Sequence, residues 1–447
     1  MYSRPYEHSY EIVDKTDGNR KWLPRKRTLL ARLGAFDGGA TDRGKNGHGQ
    51  NDTTNELGNF PGGRMKDQQE NTGLELVVHS TLGDARDIWL AFEKTALGFA
   101  YQQFVWAKHW HDVVGEPEGY QLHIIQVRNN AGDTLMLVPL CSHKNKFNTG
   151  LYFIGEGMSD YLGPLIHEDF ADSLTKEIFT QLWQEILAKV PVKIDYVWLD
   201  RQPVKIISKE NPFANLPGFD FDSQCHALNY PDAQDWGKSA RLVRSNKTAK
   251  KIERRIRSLA KEGELELIEV TEPTKRVQHM KDLIALKIDN LNAANLLHRF
   301  DKPDIEEFYT KLVADENAHD NLCQFEMRSN GKLVASVFGM AHHQTFYYQI
   351  CAYNRQEFGH YSPGLLLMYQ LFDWSFTRGF KRFDMTIGDE AYKLDWTNQT
   401  LPLKTIAYGL TPAGKFELAK SKFMRGLKNK IKQSPALRKV TMKILSK

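Results

Sequence analysis

Side chains able to move protons or balance charge cluster at one end of the segment RFDMTIG, which alternates apolar and polar residues. Glu390 offers a carboxylate, Tyr392 a hydroxyl that can donate a proton, and Lys393 a cation, while Asp384 lies within the segment itself. The alternation predicts a strand that ends at a glycine. Because ligands of α/β sheets bind at the carboxyl ends of strands, these residues mark a candidate site.

A second candidate feature precedes them in the chain. Ser362 is a suitable helix N-cap, Pro363 fits the first helical position, and the apolar run that follows predicts a helix stopping before Gly379. A helix N-terminus presents unpaired N–H groups that can bind phosphate. Gly364 would let a ligand approach the backbone, and Gly359 would let the preceding loop turn. A simple helix cap is the alternative interpretation.

Two further groups of residues are candidates for substrate binding. Residues 239–263 are predicted to form a helix with one apolar stripe and a strongly basic remainder. Its Arg254, Arg255 and Arg257 could form a basic wall beside an anionic ligand or substrate, or merely the solvated face of a connecting helix. Asp160 and Tyr161, in GEGMSDYLGPL, are candidate substrate contacts if the two halves of the chain share a cleft.

The elements that must position these residues occur twice in the same order: strand, helices, hairpin, strand, helix, strand. The first pass begins at Leu74 and the second at Leu265, and each hairpin carries a turn signal, Asn-Asn-Ala-Gly or Ser-Asn-Gly. We therefore predict an α/β protein of two tandem domains, each a mixed, mostly antiparallel sheet flanked by helices. The predicted bounds are 73–234 and 235–412, and the basic helix opens the second domain.

The two ends of the chain differ from this pattern. Residues 1–72 are predicted to be disordered, because the Gly-, Asn- and Asp-rich stretch that fills much of this segment cannot bury enough apolar surface to offset chain entropy. Residues 413–447 carry eleven Lys and Arg against one acid, Glu417. Their apolar residues fall mostly at helical spacing, which predicts a basic amphipathic tail on an anionic membrane surface or on nucleic acid, with a solvated terminal helix as the alternative.

Bulk composition limits the classes of protein. The net charge of +5 does not by itself suggest a nucleic-acid binder, and the 4 cysteines lack CxxC or zinc-ligand spacing, so we expect reduced thiols and no metal site. The N-terminus has no apolar signal-peptide core, and no window approaches the roughly 20 apolar residues that span a bilayer. We expect a cytoplasmic protein, at most peripheral at the inner membrane.

The second half resembles the GNAT superfamily of acyl-CoA-dependent acyltransferases. More narrowly, it resembles the BioF2-like or CelD-type branch, found among cellulose and exopolysaccharide biosynthesis proteins and related to the FemAB enzymes. The resemblance rests on RLVRSNKTAKKIERRIRSLAKEG, NGKLVASVFGM, YYQICAYNRQEFGHYSPGLLL and FDMTIGDEAYKLDW, and it covers about 235–412. The first half matches mainly in the order of its elements, which suits a tandem arrangement of GNAT-like domains.

The resemblance implies a chemical role for each candidate. The family binds the CoA pyrophosphate at the helix after the fourth strand, which assigns an acetyl-CoA or other acyl-CoA co-substrate to Gly359, Ser362, Gly364 and Lys393. An amine or hydroxyl acceptor, small molecule or glycan precursor, would take the acyl group.

Proton transfer is also assigned by the resemblance. Tyr392 is similar in place to the proton donor of the family, and Asp384, Glu390 or a bound water could be the base. Backbone amides of the splayed strands would stabilise the developing oxyanion.

One departure keeps other functions open. RQEFGHYSPG stands where the family has Arg/Gln-x-x-Gly-x-Gly/Ala, and this leaves room for a different acyl donor. One alternative is an aminoacyl-tRNA-dependent transferase of the FemAB kind, with the basic helix and tail holding RNA. Another is a non-catalytic scaffold in a polysaccharide-synthesis assembly.

Overall fold

Two sheets, each flanked by helices, form the protein. The computed structural model describes residues 10–12, 20–24, 73–233, 235–243, 246–296 and 298–433. The predicted α/β class is confirmed, since mixed sheets and helices alternate along the chain. Within the described residues, no helix has the length and apolar character that crossing a membrane requires.

The first part of the chain, from residue 10 to residue 229, supplies twelve strands and four α-helices among its described residues. The strands are β1 (Tyr10–Ile12), β2 (Arg20–Pro24), β3 (Leu74–His79), β4 (Gln121–Asn129), β5 (Thr134–Lys144), β6 (Thr149–Phe153), β7 (Leu165–Ile166), β8 (Tyr196–Pro203), β9 (Lys205–Ile206), β10 (Lys209–Glu210), β11 (Gly218–Asp220) and β12 (Cys225–Asn229). The helices are α1 (Leu82–Phe92), α2 (Phe104–Trp110), α3 (Glu168–Ser173) and α4 (Lys176–Lys189).

The second part supplies seven strands and eight α-helices among its described residues. The strands are β13 (Leu265–Glu269), β14 (Leu322–Ser329), β15 (Lys332–His342), β16 (Thr345–Tyr353), β17 (Arg382–Ile387), β18 (Gln399–Leu401) and β19 (Leu403–Gly409). The helices are α5 (Trp236–Val243), α6 (Asn246–Leu259), α7 (Pro273–Ala293), α8 (Pro303–Ala314), α9 (Arg355–Phe358), α10 (Pro363–Thr377), α11 (Ala391–Trp396) and α12 (Pro412–Gln433).

The predicted repeat is visible in the order of the strands. One sheet runs β11-β19-β8-β6-β5-β4-β3, and the other runs β1-β2-β13-β14-β15-β16-β17-β12-β18. In each sheet four consecutive strands pair antiparallel, and the fifth then pairs parallel with the fourth: β8 with β6, and β17 with β16. The Asn-Gly turn is also present, because Asn330 and Gly331 both have positive φ, as a two-residue hairpin of this type requires.

The two sheets exchange strands where the sequence predicted a domain boundary. Strand β12, inside predicted domain 73–234, pairs antiparallel with β17 of the second sheet. Strand β19, inside predicted domain 235–412, pairs antiparallel with β8 of the first sheet. Each half therefore completes the sheet of the other, and the predicted bounds describe the course of the chain rather than the membership of the sheets.

Three further details differ from the sequence prediction. Strands β1 and β2 lie in the segment predicted to be disordered, and β2 pairs with β13; the rest of 1–72 lies outside the described residues. The basic segment 239–263 forms α5 and α6 on either side of residues 244 and 245, which are also outside them. The predicted loop after β17 contains α11, a short helix that starts at Ala391.

Two large clusters of buried side chains form most of the core. The larger one combines side chains of both halves, such as Trp89 and Phe153 with Phe308 and Leu403. The smaller one lies between α10 and the second sheet and includes Phe383. Because β17 sends Phe383 into the smaller cluster and Asp384 toward the first half, this strand forms the boundary between the halves.

Candidate active site

Ser362 is the N-cap residue of α10, as predicted, but its side chain does not cap the helix. Ser362 has φ 59° and ψ 56°, and its side chain makes no capping hydrogen bond, so the predicted side-chain cap is wrong. Its hydroxyl instead accepts a hydrogen bond from Arg255 Nη1 at 3.1 Å. A guanidinium therefore lies at a helix N-terminus, and both favour a negatively charged ligand.

The glycines of this region leave space rather than relieve backbone strain. A Cβ added to Gly364 would meet the Tyr353 ring at 3.5 Å and Cys351 Sγ at 3.8 Å, which are ordinary contacts. A Cβ added to Gly359 would meet Arg355 Cγ at 3.5 Å, and Gly359 has φ −54°. Alanine would fit at both positions, so any requirement for glycine comes from a ligand and not from the fold.

The basic helix α6 packs beside α10, as the prediction of a basic wall requires. The hydroxyl of Tyr369 on α10 donates to Glu253 Oε1 at 3.3 Å. Of the three predicted arginines, Arg255 is half-buried and contacts Ser362, whereas Arg254 and Arg257 are exposed. Arg255 therefore belongs with the phosphate-binding candidates, and the other two line the outside of the helix.

Strands β16 and β17 separate beyond their paired ends. Their parallel pairing runs from Thr345 and Arg382 to Tyr347 and Asp384 and then stops, although both strands continue. The edge of β16 exposed by this separation is partly covered by α7. Lys287 Nζ donates to the Cys351 carbonyl at 3.1 Å.

A second α7 side chain covers the end of the same edge. The Asn290 side chain accepts from Tyr353 N at 3.0 Å and donates to Tyr353 O at 2.9 Å. The backbone amide of Tyr353, which is on the strand expected to stabilise an oxyanion, is therefore already hydrogen-bonded within the protein. A ligand that hydrogen-bonds to the backbone of Tyr353 must displace the Asn290 side chain.

The predicted residues after β17 form one charged group. Lys393 is buried, with Nζ donating to the Ile387 carbonyl at 2.6 Å and lying 3.2 Å from Glu390 Oε2. The buried environment of the Tyr392 hydroxyl, helped by Glu390 and Cys351, raises the pKa of Tyr392, although 41% of the residue is exposed. The raised pKa makes Tyr392 a weaker acid than an ordinary tyrosine, so its case as a proton donor rests on its exposure and its place after β17.

Asp384 and Tyr161, predicted in separate roles, contact each other across the two halves. The Tyr161 hydroxyl lies 3.0 and 2.9 Å from the two Asp384 oxygens. Arg382 Nη2 donates to Asp384 Oδ2 at 3.0 Å, and the Thr386 amide donates to Oδ1 at 2.8 Å. Asp384 is fully buried and satisfied by these donors, so its geometry is that of a structural ion pair.

Asp160 lies where the ends of the two equivalent fifth strands meet. It accepts a hydrogen bond from the Tyr101 hydroxyl at 3.2 Å. Burial raises the pKa of Asp160, and the charges of Arg201 and Lys393 oppose that shift. Arg201 near the end of β8 and Thr386 near the end of β17 both have positive φ, an uncommon conformation for non-glycine residues that concentrates at functional sites.

The structure adds four residues that the sequence interpretation missed. They are Tyr101, Arg201, Lys287 and Cys351. Arg201 had a usable signal, since it follows the apolar strand IDYVWLD in the first half just as the candidate residues follow β17. Lys287 had none, because a lysine on an amphipathic helix is ordinarily exposed.

Two surface pockets lie away from this group. One of about 350 Å³ is lined by Ser80, Thr81, His111, Tyr120, Gln121, Leu122, His123 and Pro191. The other, of about 360 Å³, is lined by Leu216, Gly218, Phe219, Asp220 and Lys404. Neither pocket includes a residue of the candidate site.

Part of the second half is similar to a known family. Residues 246–394, about one third of the chain, match the family model described as an acetyltransferase (GNAT) domain. The matched region contains α6, the start of α10, and Glu390, Tyr392 and Lys393. Among curated proteins, none matches the sequence significantly.

Several solved structures are similar at low identity. A conserved protein of unknown function from Bacteroides thetaiotaomicron VPI-5482 is 16% identical, with a TM-score of 0.47. The match covers 74% of this chain and 99% of that chain. FemX is 14% identical, with a TM-score of 0.43 and coverage of 77% and 99%. A tandem GNAT protein from the clavulanic acid biosynthesis pathway is 11% identical, with a TM-score of 0.37 and coverage of 76% and 99%. At these values the likenesses carry no argument about activity.

Proposed function

We propose that this protein is an acyltransferase that moves an acyl group, acetyl in the simplest case, from a CoA thioester to an amine or hydroxyl. The observation that carries the proposal is the contact of Arg255 with Ser362 at the start of α10, inside the region that matches an acetyltransferase (GNAT) domain. A pyrophosphate bound there would be held by the Gly364 amide and the Arg255 guanidinium. From there the thioester would run toward Cys351, between β16 and β17.

The residues after β17 supply the acid and the base. The acceptor amine attacks the thioester carbonyl carbon, the C–S bond breaks, the amine loses one proton, and the leaving thiolate gains one. In the proposed roles, Glu390 accepts the proton of the amine and the Tyr392 hydroxyl protonates the thiolate. Lys393 Nζ lies 3.2 Å from Glu390 Oε2 and holds this carboxylate in place beside Tyr392.

Asp384 and Tyr161 take a different role in this proposal from the one that sequence suggested. Because Tyr161, Arg382 and the Thr386 amide satisfy the Asp384 carboxylate, we assign Asp384 to holding the end of β17. Tyr161 serves as its partner in the first half. Asp160 is retained as the acceptor contact, since it lies beside Lys393 at the meeting of the two strand ends.

The biological setting extends the proposal. The acceptor would be a small molecule or a glycan precursor in cellulose, exopolysaccharide or cell-envelope synthesis, as the BioF2-like or CelD-type resemblance implies, and the setting would be cytoplasmic. An aminoacyl-tRNA donor is the second candidate, favoured by the exposure of Arg254 and Arg257 on α6. A non-catalytic scaffold is the third, and the cover of α7 over the β16 edge favours it.

Calorimetric titration with acetyl-CoA and CoA tests the donor site. Gly364→Glu places a carboxylate at the helix N-terminus and should weaken binding at least about tenfold, while Gly364→Ala, whose methyl group makes only ordinary contacts with the protein, should weaken it less. Arg255→Ala should also weaken binding. Absence of binding to the wild type would reject the acyl-CoA donor, and salt-sensitive tRNA binding would then support the second candidate.

A further inference from the structure

Two phenylalanine side chains project into solvent beside the first sheet. Phe147, in the loop between β5 and β6, is 76% exposed, and Phe416, on α12, is 73% exposed. The exposure of Phe147 is fixed by the fold, because Asn145 Oδ1 accepts hydrogen bonds from Phe147 N at 2.9 Å and Asn148 N at 2.8 Å. This Asx-type turn holds the loop in one conformation.

Asp195 forms hydrogen bonds with both the β5–β6 loop and the start of α12, at the same end of the first sheet. One carboxylate oxygen accepts from Thr149 N at 2.9 Å, directly after the Phe147 loop. The other accepts from the Thr411 hydroxyl at 2.8 Å, directly before α12. The Asp195 carbonyl also accepts from Leu410 N at 2.8 Å, so Phe147 and Phe416 rise from two segments that share one anchor.

The α12 helix turns Phe416 away from the sheet. Among its residues 412–422, the buried ones are Gly414 and Leu418, four positions apart, and Leu418 packs with Tyr196 and Ala407. Phe416 lies midway between them in sequence and therefore on the opposite side of the helix. Leu410, just before the helix, is a further exposed apolar residue at 45%.

The surroundings of these apolar residues are basic. We define the docking surface as Phe147, Leu410 and Phe416 with five exposed lysines, which are Lys144, Lys146, Lys193, Lys415 and Lys420. The five lysines outnumber the two nearby acids, which are Glu417, 3.2 Å from Lys420, and Asp195, which accepts hydrogen bonds from Thr149 and Thr411. Those hydrogen bonds, with help from Lys193, hold the pKa of Asp195 low.

We infer that this surface docks the protein on an anionic lipid bilayer. Exposed aromatic side chains ringed by lysines suit the headgroup region, where the rings enter the apolar boundary and the ammonium groups pair with lipid phosphates. Nucleic acid fits less well, since the apolar side chains arise from a hairpin loop and a helix start and include the aliphatic Leu410. The inference does not depend on the proposed acyl transfer.

The docking surface and the candidate active site lie at opposite ends of the same strand. Strand β8 begins at Tyr196, beside Asp195, and Arg201 follows five residues later, about 17 Å along the strand. Substitutions at the docking surface should therefore leave CoA binding intact. This separation lets the two proposals fail independently.

Vesicle co-sedimentation of the full chain tests the inference. We expect binding to vesicles of phosphatidylcholine with one-third phosphatidylglycerol and little binding to phosphatidylcholine alone. The double variant Phe147→Ser and Phe416→Ser should lose at least about tenfold in vesicle affinity, and Lys146→Glu with Lys415→Glu should lose a similar factor. Ile178→Ser, at an apolar residue 41% exposed on α4, is the matched control and should bind like the wild type.

Three outcomes would overturn the inference. The first is that the double variant at Phe147 and Phe416 binds vesicles as tightly as the wild type. The second is that the wild type binds neutral and anionic vesicles equally. The third is that the wild type binds tRNA but not vesicles. Near-native circular dichroism and unchanged CoA titration of the variants would show that any loss of vesicle binding comes from the surface itself.

Discussion

At the residue scale, the structure joins side chains that the sequence presented separately. Asp384 and Tyr161 were predicted as a catalytic carboxylate and a substrate contact, but they form one buried hydrogen-bonded pair between the halves. Their residue types could be read from the sequence, but their pairing could not, because it joins positions 223 residues apart. Glu390 and Lys393 were predictable as neighbours because they are only three residues apart in the chain.

Removal of the Tyr161 hydroxyl should destabilise the protein. We expect Tyr161→Phe to lower the free energy of unfolding by about 1.5–3 kcal/mol, because a buried carboxylate loses a hydrogen bond. Urea denaturation followed by tryptophan fluorescence measures the change. In an Asp384→Asn background the same substitution should cost clearly less, and an equal cost in both backgrounds would show that the two side chains are not coupled.

Glu93 should make stability depend on pH near neutrality. Burial raises the pKa of Glu93 to about 7, although its carboxylate accepts from Phe104 N at 2.7 Å. The folded-state pKa lies above the unfolded one, so the stabilisation is complete below pH 4.5 and is lost as the pH rises through 7. Glu93→Gln should reduce the loss of unfolding free energy between pH 4.5 and pH 7 by about 1–3 kcal/mol. Urea denaturation at several pH values measures this loss. An unchanged pH dependence would contradict this assignment.

At the element scale, local sequence signals predicted where helices and strands begin and end, whereas contacts between distant elements could not be predicted. The α10 helix begins at Pro363 and the strand β17 ends before Gly388, as turn and cap residues indicated. Ser362 is the N-cap residue as predicted, but it makes no side-chain capping bond, because its backbone adopts a left-handed conformation and its hydroxyl pairs with Arg255 on α6. The cover of β16 by Lys287 and Asn290 depends on the docking of α7, which periodicity does not reveal.

Cys351 gives a chemical probe of the separation between β16 and β17. It is half-buried and close to Gly364, whereas Cys141, Cys225 and Cys323 are buried. Burial raises the pKa of Cys351, so its alkylation should be slow and should accelerate as the pH rises. We expect acetyl-CoA to slow alkylation of Cys351 severalfold, as measured by peptide mass spectrometry.

Cys351→Ser is the control for this footprint. It should remove the labelled peptide without abolishing CoA binding. Labelling of Cys351 at the same rate with and without saturating acetyl-CoA would mean that the thioester does not pass between these strands.

At the scale of the whole molecule, strand exchange makes the two halves one folding unit. The sequence repeat predicted two copies of a domain, and the strand order confirms the repeat. The crossing of β12 and β19 into the opposite sheets could not be predicted, because either strand has apolar residues that suit both sheets. The larger core also draws on both halves, so neither sheet has a complete set of neighbours on its own.

This architecture predicts cooperative unfolding. We expect a single urea transition, with tryptophan fluorescence and far-ultraviolet circular dichroism giving the same midpoint. A fragment of residues 73–234 lacks β19 and should aggregate through the exposed edge of β8. Two separated transitions, or a soluble and folded fragment, would contradict the view that the halves depend on each other.

A crystal structure with bound acetyl-CoA would show where the acyl donor lies. We expect pyrophosphate oxygens within hydrogen-bond distance of the Gly364 amide and the Arg255 guanidinium, with the thioester between β16 and β17 near Cys351. A pyrophosphate bound anywhere else, or crystals that stay empty at saturating acetyl-CoA, would contradict this expectation.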